Sequence, residues 1–362
     1  MLPHGHWGPM PPPLHLNDST YIQLVAATEK IVKRLLVSEN YDSVTNFIAL
    51  YDAYEKARQG TPLQELYRNF VPVCRPHANT CVGLALELIR RWQCLERRFP
   101  GLCAATGMLS CEESAPGVMR DTHMSQGPYE LMAPDKEHVM VGVQISLNGR
   151  RGVLIGDPGY HVGRIVTIMV DGEYPHTGWF NQVLKGYYRK NFDYAFCDHN
   201  LNYIIWREED YRNQDYHFSN SLIYASRPFC DGICITEKRN LVYRLKSLVA
   251  RSPTGMVKAG VVFCLCPYFN RAQITVFYSK QEEEEGEIKT QNVKKKYYLK
   301  VFKDDEKLHE SILKHVRICN QQLHFPEGKL LTIIQRLAAV LSDEPFVRQC
   351  IELNAYIGQC SI

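Results

Sequence analysis

A chain of 362 residues with 45% hydrophobic and 22% charged residues has ordinary globular composition and room for two or three subdomains, which excludes a fibrous or largely disordered protein. The net charge of +3, with basic and acidic residues interleaved, offers no electrostatic footprint for nucleic acid. No apolar run approaches the roughly 20 residues needed to cross a bilayer, and 13 cysteines in irregular spacing fit reduced thiols in a cytoplasmic or nuclear protein.

Residues 1–16 are rich in Pro, His and Gly and are expected to form an extended or disordered tail, a place for a protein partner rather than for chemistry. The opening MLPHGHWGPMPPP has no basic segment followed by an apolar stretch, so no export signal is expected. His4, His6 and His15 lie in that tail without fixed geometry, and no metal site is assigned. Asn17-Asp18-Ser19 offers a helix N-cap. Leu24, Val25, Ile31, Leu35, Phe47, Leu50 and Tyr54 then recur at helical spacing and predict two or three helices before Phe70. Beyond Pro72 and Pro76, Asn79 or Thr80 can cap another helix, with Leu84, Leu88, Trp92 and Leu95 as its buried stripe. Cys81 falls in the first turn of that helix.

The period then changes. EHVMVGVQISL, RGVLIGDP and RIVTIMVDG are short Val- and Ile-rich runs separated by Asn148-Gly149 and Pro158-Gly159, which predicts strands joined by tight turns. YAFC, LNYIIW, SLIYAS, GICIT and NLVYRL read as further strands of a barrel or strongly bent sheet. VVFCLC and AQITVFYS predict a hairpin, QEEEEGEIKTQNVKKK a solvated charged loop, YYLKVF another strand, and LHESILKHVRICNQQL and GKLLTIIQRLAAVLSD closing helices. The expected fold class is α+β: a helical domain over 17–110, an antiparallel β-barrel-like domain over 111–250, and an α/β C-terminal lid over 251–362.

The chemistry rests on Cys81, His138 and Asp157. A thiolate in the first turn of a helix is stabilised by unpaired backbone N–H groups and the positive end of the dipole, and the same amides can hold an oxyanion during acyl transfer. His138 opens an apolar strand, and the Asn148-Gly149 turn folds the next strand back so that Asp157 arrives beside it. Asp157 can then fix the imidazole tautomer while His138 deprotonates the thiol. Each residue also has a plain use: a cysteine is commonly a small buried hydrophobe, a histidine can end a strand, and Asp-Pro-Gly is a turn. The order of the three, joined by a hairpin, favours a triad. Cys230 and Cys234 lack the usual zinc spacing, Cys264 and Cys266 alternate across a strand, and no nucleotide-binding fingerprint is present.

TCVGLALEL, EHVMVGVQISLNGRRGVLIGDPGY and SLIYASRPFCDGICITEKRNLVYRL, spread between Tyr21 and Leu248, together resemble the arylamine N-acetyltransferases, within the broader transglutaminase-like and papain-like cysteine superfamily. The resemblance implies a helical domain supplying the nucleophile, a β-barrel supplying His and Asp, and an α/β lid. It implies that Cys81 takes an acyl group from acetyl-CoA or another acyl-CoA and passes it to a small-molecule or peptide amine. Ser226 would stand in the segment that helps hold CoA. The Asp segment reads DPGYH where the family has Asp-x-Gly-Phe-Gly, which adds Tyr160 and His161 beside the site as accessory groups. Where the family has Arg-Gly-Gly before its cysteine, this chain has Arg75-Pro76-His77-Ala78-Asn79-Thr80. The triad itself is shared by two other readings: a cysteine hydrolase or transglutaminase-like enzyme acting on peptide amides, and a catalytically silent interaction protein that keeps the fold.

Overall fold

A computed structural model describes residues 2–57, 61–74, 77–115, 122, 137–185, 188–213, 215–284, 287–303 and 308–359. The fold is mixed α+β. Helix α1 (Asp18–Ser38) begins where Asn17 caps it: Asn17 Oδ1 accepts the Thr20 N–H at 2.9 Å and the Thr20 hydroxyl accepts the Asn17 N–H at 3.0 Å. Its buried face, Tyr21, Leu24, Thr28, Val32 and Leu35, repeats every three or four residues. Helices α2 (Val44–Ala57) and α3 (Leu63–Asn69) follow, and then α4 (Cys81–Gln93), capped by Thr80, with Leu84, Leu88 and Trp92 buried as expected.

The larger sheet has nine strands among the described residues. Its ladder runs β6 (Ile165–Met169), β5 (Arg150–Gly156), β4 (His138–Leu147), β3 (Thr106–Glu112), β10 (Asp215–Tyr224), β9 (Asn200–Arg212), β8 (Tyr188–Cys197) and β7 (Phe180–Lys185), with β1 (Leu14–Leu16) parallel to β4. All neighbours along this path are antiparallel. The sheet curls until β6 comes against β8, but the ladder ends at β6 and β7, so it is an open half-barrel and not a closed one. The β4–β5 hairpin turns at Asn148 and Gly149, both at positive φ, the backbone that a two-residue turn requires.

Strand β4 is buried on both faces. Val139, Val141, Val143 and Ile145 pack with the buried faces of α1 and α4, while Met140 faces the interior of the curl with Val153, Ile155 and Trp206. A Cβ on Gly156 would lie 2.9 Å from Leu88 and Trp92, so a glycine there lets α4 lie directly on the sheet. That contact brings the start of α4 to the start of β4.

The second sheet runs β14 (Glu287–Tyr298), β13 (Gln273–Glu284), β12 (Val257–Cys264), β11 (Leu245–Arg251) and β2 (Tyr41–Asp42). It shares a core with α2, α3 and the C-terminal helices Glu310–Gln322, Lys329–Ser342 and Glu344–Gln359. The expected boundary at residues 250 and 251 passes through β11, and β2 brings a segment of the N-terminal third into the same sheet.

Four expectations need correction. Leu14–Leu16 is a strand, and Trp7 is buried against Phe229 and Tyr224 with its indole N–H on the Ser110 hydroxyl, so the stretch expected to be a loose tail is anchored to the fold at these two places. Its aromatic and leucine side chains outweigh its Pro and Gly content. GICIT and NLVYRL are in part helical: Ile233–Glu237 is a π-helical turn, with the Glu237 N–H on the Gly232 carbonyl at 2.8 Å, continuing into α5 (Lys238–Val242). Periodicity cannot assign so short an apolar run. The charged stretch forms most of a hairpin with 12-residue arms, because its backbone continues the ladder begun by Ile274–Tyr278. YYLKVF ends that hairpin and turns into a 3₁₀ segment at Leu299–Phe302.

Candidate active site

Cys81 is the first residue of α4 and is 4% exposed. The cap residue Thr80 accepts the Val82 N–H at 3.4 Å, and its hydroxyl donates to the buried Glu237 carboxylate, which also accepts Asn46 Nδ2–H at 2.7 Å. Burial pushes the Glu237 carboxyl above its usual range, against the two hydrogen bonds that favour its charge. One residue earlier, Asn79 Nδ2 donates to Glu39 at 3.2 Å, and Glu39 also holds His77 at 3.0 Å and Arg91 at 3.1 Å. In this chain a buried carboxylate network fixes the loop before the cysteine.

His138 opens β4, and Asp157 stands one residue beyond β5, whose last residue, Gly156, pairs with Val141. His138 Nε2 lies 3.0 Å from both Asp157 carboxylate oxygens, and the two side chains are 2% and 1% exposed. Asp157 Oδ1 also accepts the Tyr160 N–H at 3.0 Å, so the Asp-Pro-Gly turn and the histidine partner are one residue in two roles. With Nε2 taken by Asp157, the other ring nitrogen remains for the Cys81 thiol, whose side chain stands beside the ring across Gly159. Burial disfavours a charged imidazole, but the Asp157 carboxylate, the hydrogen bond to it and Cys81 outweigh that, so His138 holds its proton well above the ordinary histidine value. Between thiol and ring sits Gly159, where a Cβ would lie 2.7 Å from both Cys81 Cβ and His138 Cε1.

These groups open on a cleft of about 790 Å³. Tyr41, Cys81, His138, Tyr160 and His161 line it, and so do Lys190, Lys294 and Lys296. The last two project from β14 opposite Phe277 and Thr275, with two-residue spacing that puts both on one face. Tyr160 packs edge-on against His138 at 4.6 Å, and burial together with the neighbouring Glu113 carboxylate holds its phenol well above the usual range. Burial and the neighbouring Arg251 push His161 down to about 3. Arg251 Nη1 lies 3.1 Å from His161 Nδ1 and donates to the Pro158 carbonyl at 2.6 Å, and Nη2 donates to the Glu39 carbonyl at 2.6 Å. Arginine only donates, so His161 Nδ1 is an acceptor and its Nε2 carries the hydrogen.

Of the residues singled out in the sequence, Cys81, His138, Asp157, Tyr160 and His161 are together. Ser226 is not among them: it is 3% exposed, beyond the end of β10, and does not line the cleft. Sequence reasoning missed Tyr41, Glu113, Asn240 and Arg251. Asn240 was hidden in NLVYRL, read as a strand, and its Nδ2 stands 3.7 Å from Cys81 Sγ. Every described cysteine is a free thiol, and among the described residues no group of three or more His, Cys, Asp or Glu is arranged to hold a metal ion. No described helix is long and apolar enough to cross a membrane.

No protein-family model matches the chain, and no curated protein does. Among solved structures, the chain is similar to the arylamine N-acetyltransferase of Nocardia farcinica, with a TM-score of 0.38 and 11% sequence identity over 86% of this chain and 87% of that one.

Proposed function

We propose that the protein is a cysteine-dependent acyltransferase that carries an acyl group from a thioester, an acyl-CoA such as acetyl-CoA, through Cys81 to an amine. The observation that carries this reading is the buried pair of His138 with both oxygens of Asp157, with Cys81 beside the imidazole at the wall of a cleft. His138 takes the thiol proton and Asp157 steadies the imidazolium; the thiolate attacks the thioester carbonyl, and the departing CoA sulfur takes the proton from His138. In the second half, the amine attacks the acyl-Cys81 carbonyl, His138 accepts the amine proton, and the Cys81 sulfur leaves and is reprotonated by the same imidazolium. The cleft's lysines support a phosphate-bearing donor, because Lys294 and Lys296 add positive charge to the lining that Cys81 shares.

The test is to mix the protein with a panel of acyl-CoA thioesters and follow intact mass. The expected result is one added acyl group that is absent in Cys81→Ser and released by an amine acceptor. No acylation by any thioester in the panel would overturn the reading.

A further inference from the structure

The side-chain amide of Asn240 points at the reacting sulfur, with Nδ2 3.7 Å from Cys81 Sγ. Asn240 lines the cleft, so a group bound to the sulfur meets this amide as well. Three contacts hold its helix in place. The Asn240 main-chain carbonyl accepts from Lys246 Nζ at 2.6 Å, and that lysine is fully buried and also donates to the Tyr243 carbonyl. Lys238 Nζ donates to the Arg68 carbonyl at 2.8 Å, and Arg239 Nη1 donates to Asn354 Oδ1 at 2.6 Å. The amide therefore sits on a short element pinned from several sides, as a donor that must not reorganise during reaction requires.

An acyl group on Sγ places its carbonyl oxygen one bond beyond the carbon attached to sulfur. A donor 3.7 Å from the sulfur is within hydrogen-bonding reach of that oxygen. The helix leaves its first-turn N–H groups, Cys81 among them, without intrahelical acceptors. We infer that Asn240 is a catalytic residue that donates Nδ2–H, alongside the Cys81 N–H, to the oxyanion formed when Cys81 is acylated and deacylated. The inference rests on the acyl-transfer reading above.

Two reactions of the same thiol separate this role from simple support of the sulfur. Acylation by p-nitrophenyl acetate passes through an oxyanion, whereas alkylation by iodoacetamide is displacement at a saturated carbon and has none. Both are measured on the full chain of the wild type, Asn240→Leu, which keeps the side-chain volume without the amide, and Asn240→Ala, with melting curves to establish folding. The expected result is a nitrophenolate burst slowed about 10²–10³-fold in both variants, with alkylation of Cys81 changed by less than about tenfold. Equal losses in the two reactions, or an undiminished burst in a folded variant, would overturn the Asn240 assignment and leave acyl transfer standing. A wild type that is alkylated at Cys81 but gives no burst and no acyl adduct would overturn acyl transfer itself, and the Asn240 role with it.

Discussion

Alanine at position 159 inserts a carbon 2.7 Å from Cys81 Cβ, 2.7 Å from His138 Cε1 and 3.1 Å from Cys81 Cα. Non-bonded carbons rest at about 3.5–4.0 Å, so the neighbours must move by roughly 1 Å. Neither gives way easily. Cys81 opens a capped helix that packs on the sheet, and His138 is held by Asp157 at 3.0 Å. Overpacking of this kind costs about 1–3 kcal/mol. With an unfolding entropy of about 2 cal/mol/K per residue, that corresponds to a melting shift of ~1–4 °C for a chain of this length unfolding as one unit. The effect on chemistry is larger, because misplacing reacting groups by about 1 Å costs on the order of 10²-fold in rate. The assay is the rate of Cys81 alkylation by iodoacetamide and of acylation by acetyl-CoA at neutral pH, each followed by mass, beside thermal denaturation. Gly172→Ala is the control: Gly172 has φ of 70° and open space around it, so the substitution strains the backbone without touching the site. If Gly159→Ala keeps Cys81 reactivity within about twofold of wild type and melts unchanged, the packing of thiol, glycine and imidazole described here is wrong.

Asp157→Asn removes the charge that keeps His138 protonated, and Cys81 acylation is expected to fall about 10²–10⁴-fold; a pH–rate profile unmoved by this substitution would refute the pairing. His161 should report in the opposite sense from His138. Its folded value, about 3, lies below the unfolded one, so the unfolded chain binds the proton first and stability falls as pH drops from the ordinary histidine range toward 3. Urea titrations of His161→Gln across that window should show a shallower acid limb. His138 is raised, so the stability it contributes is present below the ordinary histidine value and is lost as pH rises through its folded value; His138→Gln should remove that alkaline loss. Trp7→Ala deletes a buried indole packed on Phe229 and is expected to destabilise the chain by about 3–5 kcal/mol in chemical denaturation. The pair Lys294→Glu and Lys296→Glu should raise the apparent KM for acetyl-CoA severalfold and leave acylation by uncharged p-nitrophenyl acetate unaltered; equal effects on both would remove the cleft's lysines from donor binding.

What the sequence determined by itself was local. Asn17 and the pair Asn79-Thr80 announced two helix starts because capping is a property of a few adjacent residues, and the Asn148-Gly149 turn announced the β4–β5 hairpin because few other residue pairs adopt its backbone. From those two facts followed Cys81 in a first turn and Asp157 returning toward His138. The curled sheet was legible as a run of short apolar strands, although not its open ladder. Contacts between distant segments were decided only by the tertiary structure. Trp7 is buried because Phe229 lies over 200 positions away in the chain and beside it in space, and no local pattern encodes that neighbour. Arg251 of the second sheet ties the Asp157 loop to the end of α1 through the Pro158 and Glu39 carbonyls. Asn240 reached the sulfur because GICIT and its continuation wound into helix, a choice that so short a run leaves open and that packing against α2 and α4 closed. The order of Cys81, His138 and Asp157 was written in the chain; the amide that faces the Cys81 sulfur was set by the way the helices and the two sheets pack together.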